Sequence, residues 1–446
     1  MLRKGDLTQG GITGTLLHFT LPMLVGSFLQ QCYNIADTLI VGQCIGAGAL
    51  AAVGSAYTLM VFLISVLLGL AMGSGTVFSL HYGAGNHVAL RRSIFSSFVL
   101  IGIVTLILNV AVFIWLDPIL RLLQVPQDIY GMMRSYLWII FCGIVFTFIY
   151  NFYASLLRAV GDSVTPLWFL AVSVVLNIAL DLFFILQLDW GIQGAAAATV
   201  LAQGVAALGI IIYTYRRRPE LRWHHEDMCF DRTCLKEIAS FSTLTCVQQS
   251  VMNLGILMIQ GLVNSFGTAV MAAFAAAVKI DSFAYMCVQE FGNAFSTFIA
   301  QNFGAGRYDR IHRGVRSAFV TAVVFSLLVS VLVFIFAKPL MLIFVRPDET
   351  EIIAVGVAYL RIEGAFYCGI GILFLLYGYY RAIRMPGMSV VLTVLSLGTR
   401  VVLSYWLASI PEIGVTGIWW SIPIGWLIAD VVGIWCYRYV KGVRGS

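Results

Sequence analysis

The stretch Leu21-Pro22-Met23 through Asn34-Ile35-Ala36-Asp37-Thr38-Leu39-Ile40-Val41 reads as one membrane-spanning helix, with a proline near its start and a carboxylate near its far end. A charged side chain at the centre of a membrane helix costs about 2.5–3.5 kcal/mol on insertion scales. A carboxylate kept at that cost is expected to face a cavity rather than lipid. What Asp37 faces is therefore the question from which the rest of the chain is read.

Composition sets the class. The chain has 446 residues, 60% of them hydrophobic and 11% charged, where soluble domains average roughly 45–50% apolar and about 25% charged. An all-α polytopic membrane protein is expected. The first apolar run continues past Pro22 without a small-residue cleavage site and reads as a retained helix. The net charge of +6 lies in short loops between spans and does not point to nucleic acid. The nine cysteines mostly sit in apolar runs and read as buried thiols. His224, His225, Cys229 and Cys234 share one loop, but their spacing matches no standard zinc site. No metal is expected beyond a sodium ion.

At about 20 residues per span, twelve helices fit, roughly 15–41, 49–74, 93–116, 134–157, 164–187, 191–215, 237–263, 269–300, 315–337, 352–379, 387–410 and 415–437. Gly/Pro-containing or polar separators lie between them, among them Asp117-Pro118 and Met385-Pro386-Gly387. The expected domains are an amino-terminal six-helix lobe (1–215), a linker (216–236) and a carboxy-terminal six-helix lobe (237–446). With the amino terminus inside, inner loops hold 20 lysines and arginines against 4 outside. That bias predicts both termini in the cytoplasm.

The halves repeat. Gly83-Ala84-Gly85 recurs as Gly304-Ala305-Gly306 and Ala51-Ala52 as Ala272-Ala273, at an offset of 221. Tyr136-Leu137 recurs as Tyr359-Leu360, Arg158-Ala159 as Arg381-Ala382, and Gly191 with Gly194 as Gly414 with Gly417, at 223. Matches in order at nearly one offset indicate a duplication. Six spans per half make it a parallel repeat, an architecture of transporters.

Soluble-enzyme motifs are absent. There is no G-x-x-x-x-G-K-[ST] loop, and both Gly-Ala-Gly loops read as helix-end punctuation because no strand precedes them. No pair of loop carboxylates offers metal-diphosphate chemistry, so an enzyme is not expected. Depth is more informative. Asp37, Asp181 and Thr199 each fall within about 6–12 Å of the outer ends of their spans, and Asn177 shares a helix face with Asp181. Two carboxylates, an amide and a hydroxyl in one layer suit a proton or a sodium ion. Their repeat counterparts are Met258 or Ile259 for Asp37, Arg400 for Asn177 and Ser404 for Asp181. The second half instead carries Lys279 and Asp281, Arg361 and Glu363, and Arg400 near mid-membrane. These read either as interhelical ion pairs or as a polar substrate or second ion site.

Together these features resemble the multidrug and toxic compound extrusion (MATE) family across essentially the whole chain. The resemblance rests on Pro22…Asn34-x-x-Asp37-x-x-x-Val41-Gly42, Arg158-Ala159-x-Gly161-Asp162, Asn177-x-x-x-Asp181 and the echoed Gly-Ala-Gly loop. It implies an inner-membrane antiporter exporting organic, often cationic, compounds against protons or sodium, with no cofactor besides the coupling ion. By the same resemblance Asp37, Asn177, Asp181 and Thr199 form the cation site, Gln30, Tyr33, Tyr136 and Asn151 line its cavity, and Pro22 is a hinge. A proline lacks one backbone hydrogen bond and weakens the helix there. One branch of the family carries an acid in its seventh helix, where this chain has Gln248, Gln249 and Asn253. The remaining alternatives are a flippase for lipid-linked saccharides, which shares this architecture, and a membrane-embedded transferase. A monomer is expected.

Overall fold

The computed structural model describes residues 6–122, 125–228 and 231–444, and its regular structure is helical. The helices are α1 (Ile12–Cys44), α2 (Ala47–Gly83), α3 (His87–Leu122), α4 (Gln127–Cys142), α5 (Ile144–Ala159), α6 (Val164–Leu182) and α7 (Gly191–Arg217) in the first half. The second half holds α8 (Arg232–Asn264), α9 (Thr268–Gly304), α10 (Tyr308–Met341), α11 (Thr350–Gly364), α12 (Tyr367–Ala382), α13 (Pro386–Ala408) and α14 (Val415–Arg444). Ten are long and apolar enough to cross a membrane, and two bent pairs bring the number to twelve when each pair crosses as one. Val175, Ile343, Val402 and Trp435 are about two-thirds exposed or more, a surface that lipid rather than water permits.

The bent pairs differ from the straight spans expected at 134–157 and 352–379. α4 and α5 meet at 47° across Gly143, and α11 and α12 at 51°. At the first bend a Cβ on Gly143 would lie 2.5 Å from a methyl of Val200, so glycine lets α7 approach. Breaking the helix frees carbonyls, and Asn109 Nδ2 donates to that of Phe141 at 2.9 Å. Asp117-Pro118 is no separator: α3 runs through it to Leu122, while Asp117 accepts hydrogen bonds from Arg134 and Tyr130. Arg3, Lys4 and Cys229 lie outside the described residues.

Backbone geometry repeats with the sequence. Gly46, Gly85, Gly161 and Gly191 have positive φ, and so do Gly267, Gly306, Arg384 and Gly414. Arg384 adopts without glycine the turn that Gly161 adopts with it.

The helices form two compact units. Among the described residues, one comprises Asp6, Leu7 and His18–Cys246; the other comprises Thr8–Leu17 and the chain from Val247 to Arg444. Inside the first, α7 packs on α4, α5 and α6, and α2 on α3, α4 and α5. Phe78, Phe98, Phe148 and Phe152 form an aromatic core there. The start of α8 crosses α2 where small residues allow it: a Cβ on Gly73 would lie 2.5 Å from the Phe241 carbonyl, and Ser74 and Ser242 share a 2.8 Å hydrogen bond. The linker is fastened to this unit as well, through Arg91–Asp227 (2.7 Å), and the start of α8 approaches it through Glu237, 3.5 Å from His81.

In the second unit α9 packs on α12, and α13 on α14. Trp419 is fully buried, stacked on Phe274 and edge-on to Tyr359. Arg307 and Arg310 donate to the carbonyls of Thr8, Gln9 and Gly10, and Thr13 bonds Ser317, which holds the amino-terminal segment in this unit.

Candidate cation and substrate site

In the first unit, α1 supplies Tyr33 and Asp37 one turn apart, α4 supplies Tyr136, α6 supplies Asn177 and Asp181, and α7 supplies Thr199. Asp37, Tyr136, Asn177, Asp181 and Thr199 are all buried, Asp181 completely. The small residues Gly194, Ala195, Ala196 and Ala198 are buried in the first turns of α7, and a Cβ on Gly194 would lie 3.1 Å from Phe184 and Trp190. Directly after Asp181 the helix widens into a π-turn, Phe183–Gln187, a distortion common at functional sites.

The hydrogen bonds run as a chain. The Tyr33 hydroxyl lies 3.3 Å from Thr199 Oγ1. With the Asn177 amide oriented to satisfy both its ends, its oxygen accepts from the Thr199 hydroxyl (3.3 Å) and the Thr199 N–H (3.2 Å). Its nitrogen then donates to Asp181 Oδ2 at 2.9 Å. The Asp181 and Asp37 carboxyl groups lie within hydrogen-bond reach of each other. One oxygen of each, Oδ1, has no hydrogen-bond partner. Two unit negative charges about 4 Å apart repel by about 4 kcal/mol at an effective dielectric near 20. The pair therefore needs a positive charge between its oxygens, and a proton or a small hard cation meets that need.

Six expected residues thus meet: Tyr33, Asp37, Tyr136, Asn177, Asp181 and Thr199. Gln30 is exposed and stands outside the chain of hydrogen bonds. Asn151 is half-buried and donates to the Thr147 carbonyl of its own helix. Pro22 lies within α1, fifteen residues before Asp37.

The second unit carries its own polar cluster. Asp281 (α9) and Glu363 (α11) are buried, and Arg400 (α13) is half-buried within electrostatic range of both. No ion pair within 4 Å joins Arg400 to either carboxylate among the described residues. Asp281 Oδ1, Glu363 Oε2 and Arg400 Nε each lack a hydrogen-bond partner. Lys279 stands apart: it is exposed, its Nζ 6.0 Å from the Phe344 ring. Arg361 likewise turns outward over Phe334. Sequence reasoning missed two tyrosines, Tyr367 beside Asp281 and Tyr359 beside Glu363. The repeat held the signal for Tyr359, since it is the counterpart of Tyr136, which stands beside the first carboxylate pair.

Comparison with known proteins follows the same lines. The MatE family model matches residues 22–183 and again 245–406, two segments set 223 residues apart, the offset of the Tyr136/Tyr359 pair. The probable multidrug resistance protein YpnP of Bacillus subtilis is 30% identical over 98% of this chain and 97% of its own. The probable multidrug resistance protein YoeA of the same bacterium is 26% identical, over 95% and 92%. The crystal structure of a MATE transporter in the bent conformation matches with a TM-score of 0.93 at 22% identity, over 100% of this chain and 99% of that one. This last likeness is one of fold.

Proposed function

The chain belongs to the MatE family of multi-pass membrane transporters, and from that premise we propose how it works as a cation-coupled multidrug efflux antiporter. Asp37 and Asp181 bind the coupling ion, a proton or sodium, with Asn177 and Thr199 as oxygen and amide partners. Tyr33 and Tyr136 close the site. One observation carries this reading: two buried carboxyl groups from α1 and α6 lie in mutual reach and are tied to α7 through Asn177 and Thr199.

An ion bound between the carboxyls satisfies the bare Oδ1 atoms and draws the outer part of α1, beyond Pro22, toward α6. Pro22 is the hinge at which α1 yields, because the hydrogen bond missing there makes bending cheap. The two lobes, 1–215 and 237–446 about the linker 216–236, act as the alternating halves. The Asp281–Glu363–Arg400 group serves the substrate side, its two carboxyl groups suited to an organic cation. The protein is a monomer with both termini in the cytoplasm. The relatives named as multidrug resistance proteins support a substrate class of toxic organic compounds.

The test is dye efflux in liposomes with a proton or a sodium gradient imposed alone. Wild-type protein extrudes ethidium with one of the two, and Asp37→Asn with neither. Gradient-driven efflux persisting in Asp37→Asn would refute the mechanism.

A further inference from the structure

Away from the coupling site, the first unit contains a cavity of about 640 Å³ among its helix ends. Tyr82 from the last turn of α2, His87 and Arg91 from the start of α3, Tyr213 and Arg217 from the end of α7, and Arg218 and Glu220 just beyond line it. It opens beside the Gly83-Ala84-Gly85 loop, on the side that the lysine and arginine bias assigns to the cytoplasm. We propose that this cavity binds a phosphate-bearing anion, supplied by the headgroup of an anionic phospholipid or by a free phosphoanion.

The lining presents three guanidinium groups and an imidazole against a single carboxylate, that of Glu220. Asp162 and Asp227 are the other acids in contact, and neither lines the cavity. Asp162 takes Arg218 Nη2 at 3.2 Å, Glu220 approaches Arg218 Nη1 at 3.6 Å, and Asp227 takes Arg91 Nε at 2.7 Å. These contacts fix the two guanidinium groups while leaving N–H donors over, both Nη groups of Arg91 among them. Burial works against the charge on Arg218, but Asp162 and Glu220 outweigh it and hold its pKa above the ordinary value. Arg217 is exposed and has no acidic partner among the described residues.

Other features fit the same ligand. His87 Nδ1 is buried without a hydrogen-bond partner. His87 also opens α3, where the partial positive charge of a helix start favours an anion. The forked donors of arginine match phosphate oxygens in pairs. The volume lies within the range of small-ligand sites, roughly 300–1,000 Å³, and basic pockets at the cytoplasmic ends of membrane helices suit phospholipid headgroups. An organic cation, the class proposed for export, meets a single carboxylate in this lining, that of Glu220, and it is already engaged by Arg218.

The experiment uses the purified full chain in detergent at low salt, with thermal unfolding and native mass spectrometry as readouts. Phosphatidylglycerol, phosphatidylcholine and inorganic pyrophosphate are added separately to wild type, Arg217→Ala, Arg217→Lys and the double variant Arg217→Ala/His87→Ala. Phosphatidylglycerol, pyrophosphate or both raise the Tm by several degrees while phosphatidylcholine does not, and the shift shrinks as salt is added. A response to phosphatidylglycerol alone assigns the lipid, and a response to pyrophosphate alone assigns the free anion. Affinity falls roughly tenfold in Arg217→Ala, as expected for one charge-assisted contact, falls further in the double variant, and largely returns in Arg217→Lys. Arg217→Ala alone decides the matter if the double variant does not fold. The proposal is overturned if neither anion shifts the Tm, or if the shift is as large in Arg217→Ala as in wild type.

Discussion

The first unit's site ties α1, α6 and α7 together through Tyr33, Asn177, Asp181 and Thr199, so changes at single side chains have readable effects. Thr199→Ala removes the link between Tyr33 and Asn177. A net hydrogen bond is worth about 1 kcal/mol, so the half-saturating ion concentration should rise roughly fivefold with maximal efflux retained, as measured in liposomes of varied ion content. Asp227 offers a pH test outside the membrane. Burial alone would raise its pKa, but the His224 N–H and Arg91 outweigh that and hold the carboxyl below its ordinary range. A carboxylate depressed on folding contributes stability that is full above its unfolded pKa, about 3.9, and is lost as pH falls through the folded value. Protease cleavage within 219–228 should therefore rise on acidification below about pH 4, and Arg91→Ala should bring the same susceptibility at neutral pH. Asp37, Asn177, Asp181 and Thr199 were legible in the sequence because helix depth can be counted. The outward turn of Lys279 was not, since two residues' separation from Asp281 says which faces differ but not which one meets the core.

At the level of helices, apolar length predicted where spans run and missed where they bend. A glycine in an apolar run is compatible with a straight helix, and the reason for Gly143 is the Val200 side chain on another helix. Gly143→Leu should overpack that crossing and cost about 1–3 kcal/mol, read as a lowered Tm in detergent, with Val200→Ala restoring part of the loss. Asp117-Pro118 misled in the opposite direction. A proline does not by itself end a helix: Pro118 gives up one backbone hydrogen bond to the preceding turn, and α3 runs on for one further turn past it.

For the molecule as a whole, the duplication was legible from short matches, and it extends to the positive-φ turns that recur from one half to the other. What diverged is the charge each copy buries: Asn177 and Asp181 in one, Arg400 and Ser404 at their counterparts. Glu363→Gln should accordingly leave the choice between proton and sodium unchanged while raising the half-maximal concentration of a cationic dye roughly tenfold, in the efflux assay used for Asp37→Asn. The exchange of short segments matters for anyone who would divide the chain. α1 begins in the second unit and ends in the first, and α8 begins in the first and ends in the second. A gene split within the linker therefore yields two fragments that each carry a piece of the other and lack a piece of themselves. Neither fragment should accumulate when made alone, and the two should rescue one another only when made together in the same cell.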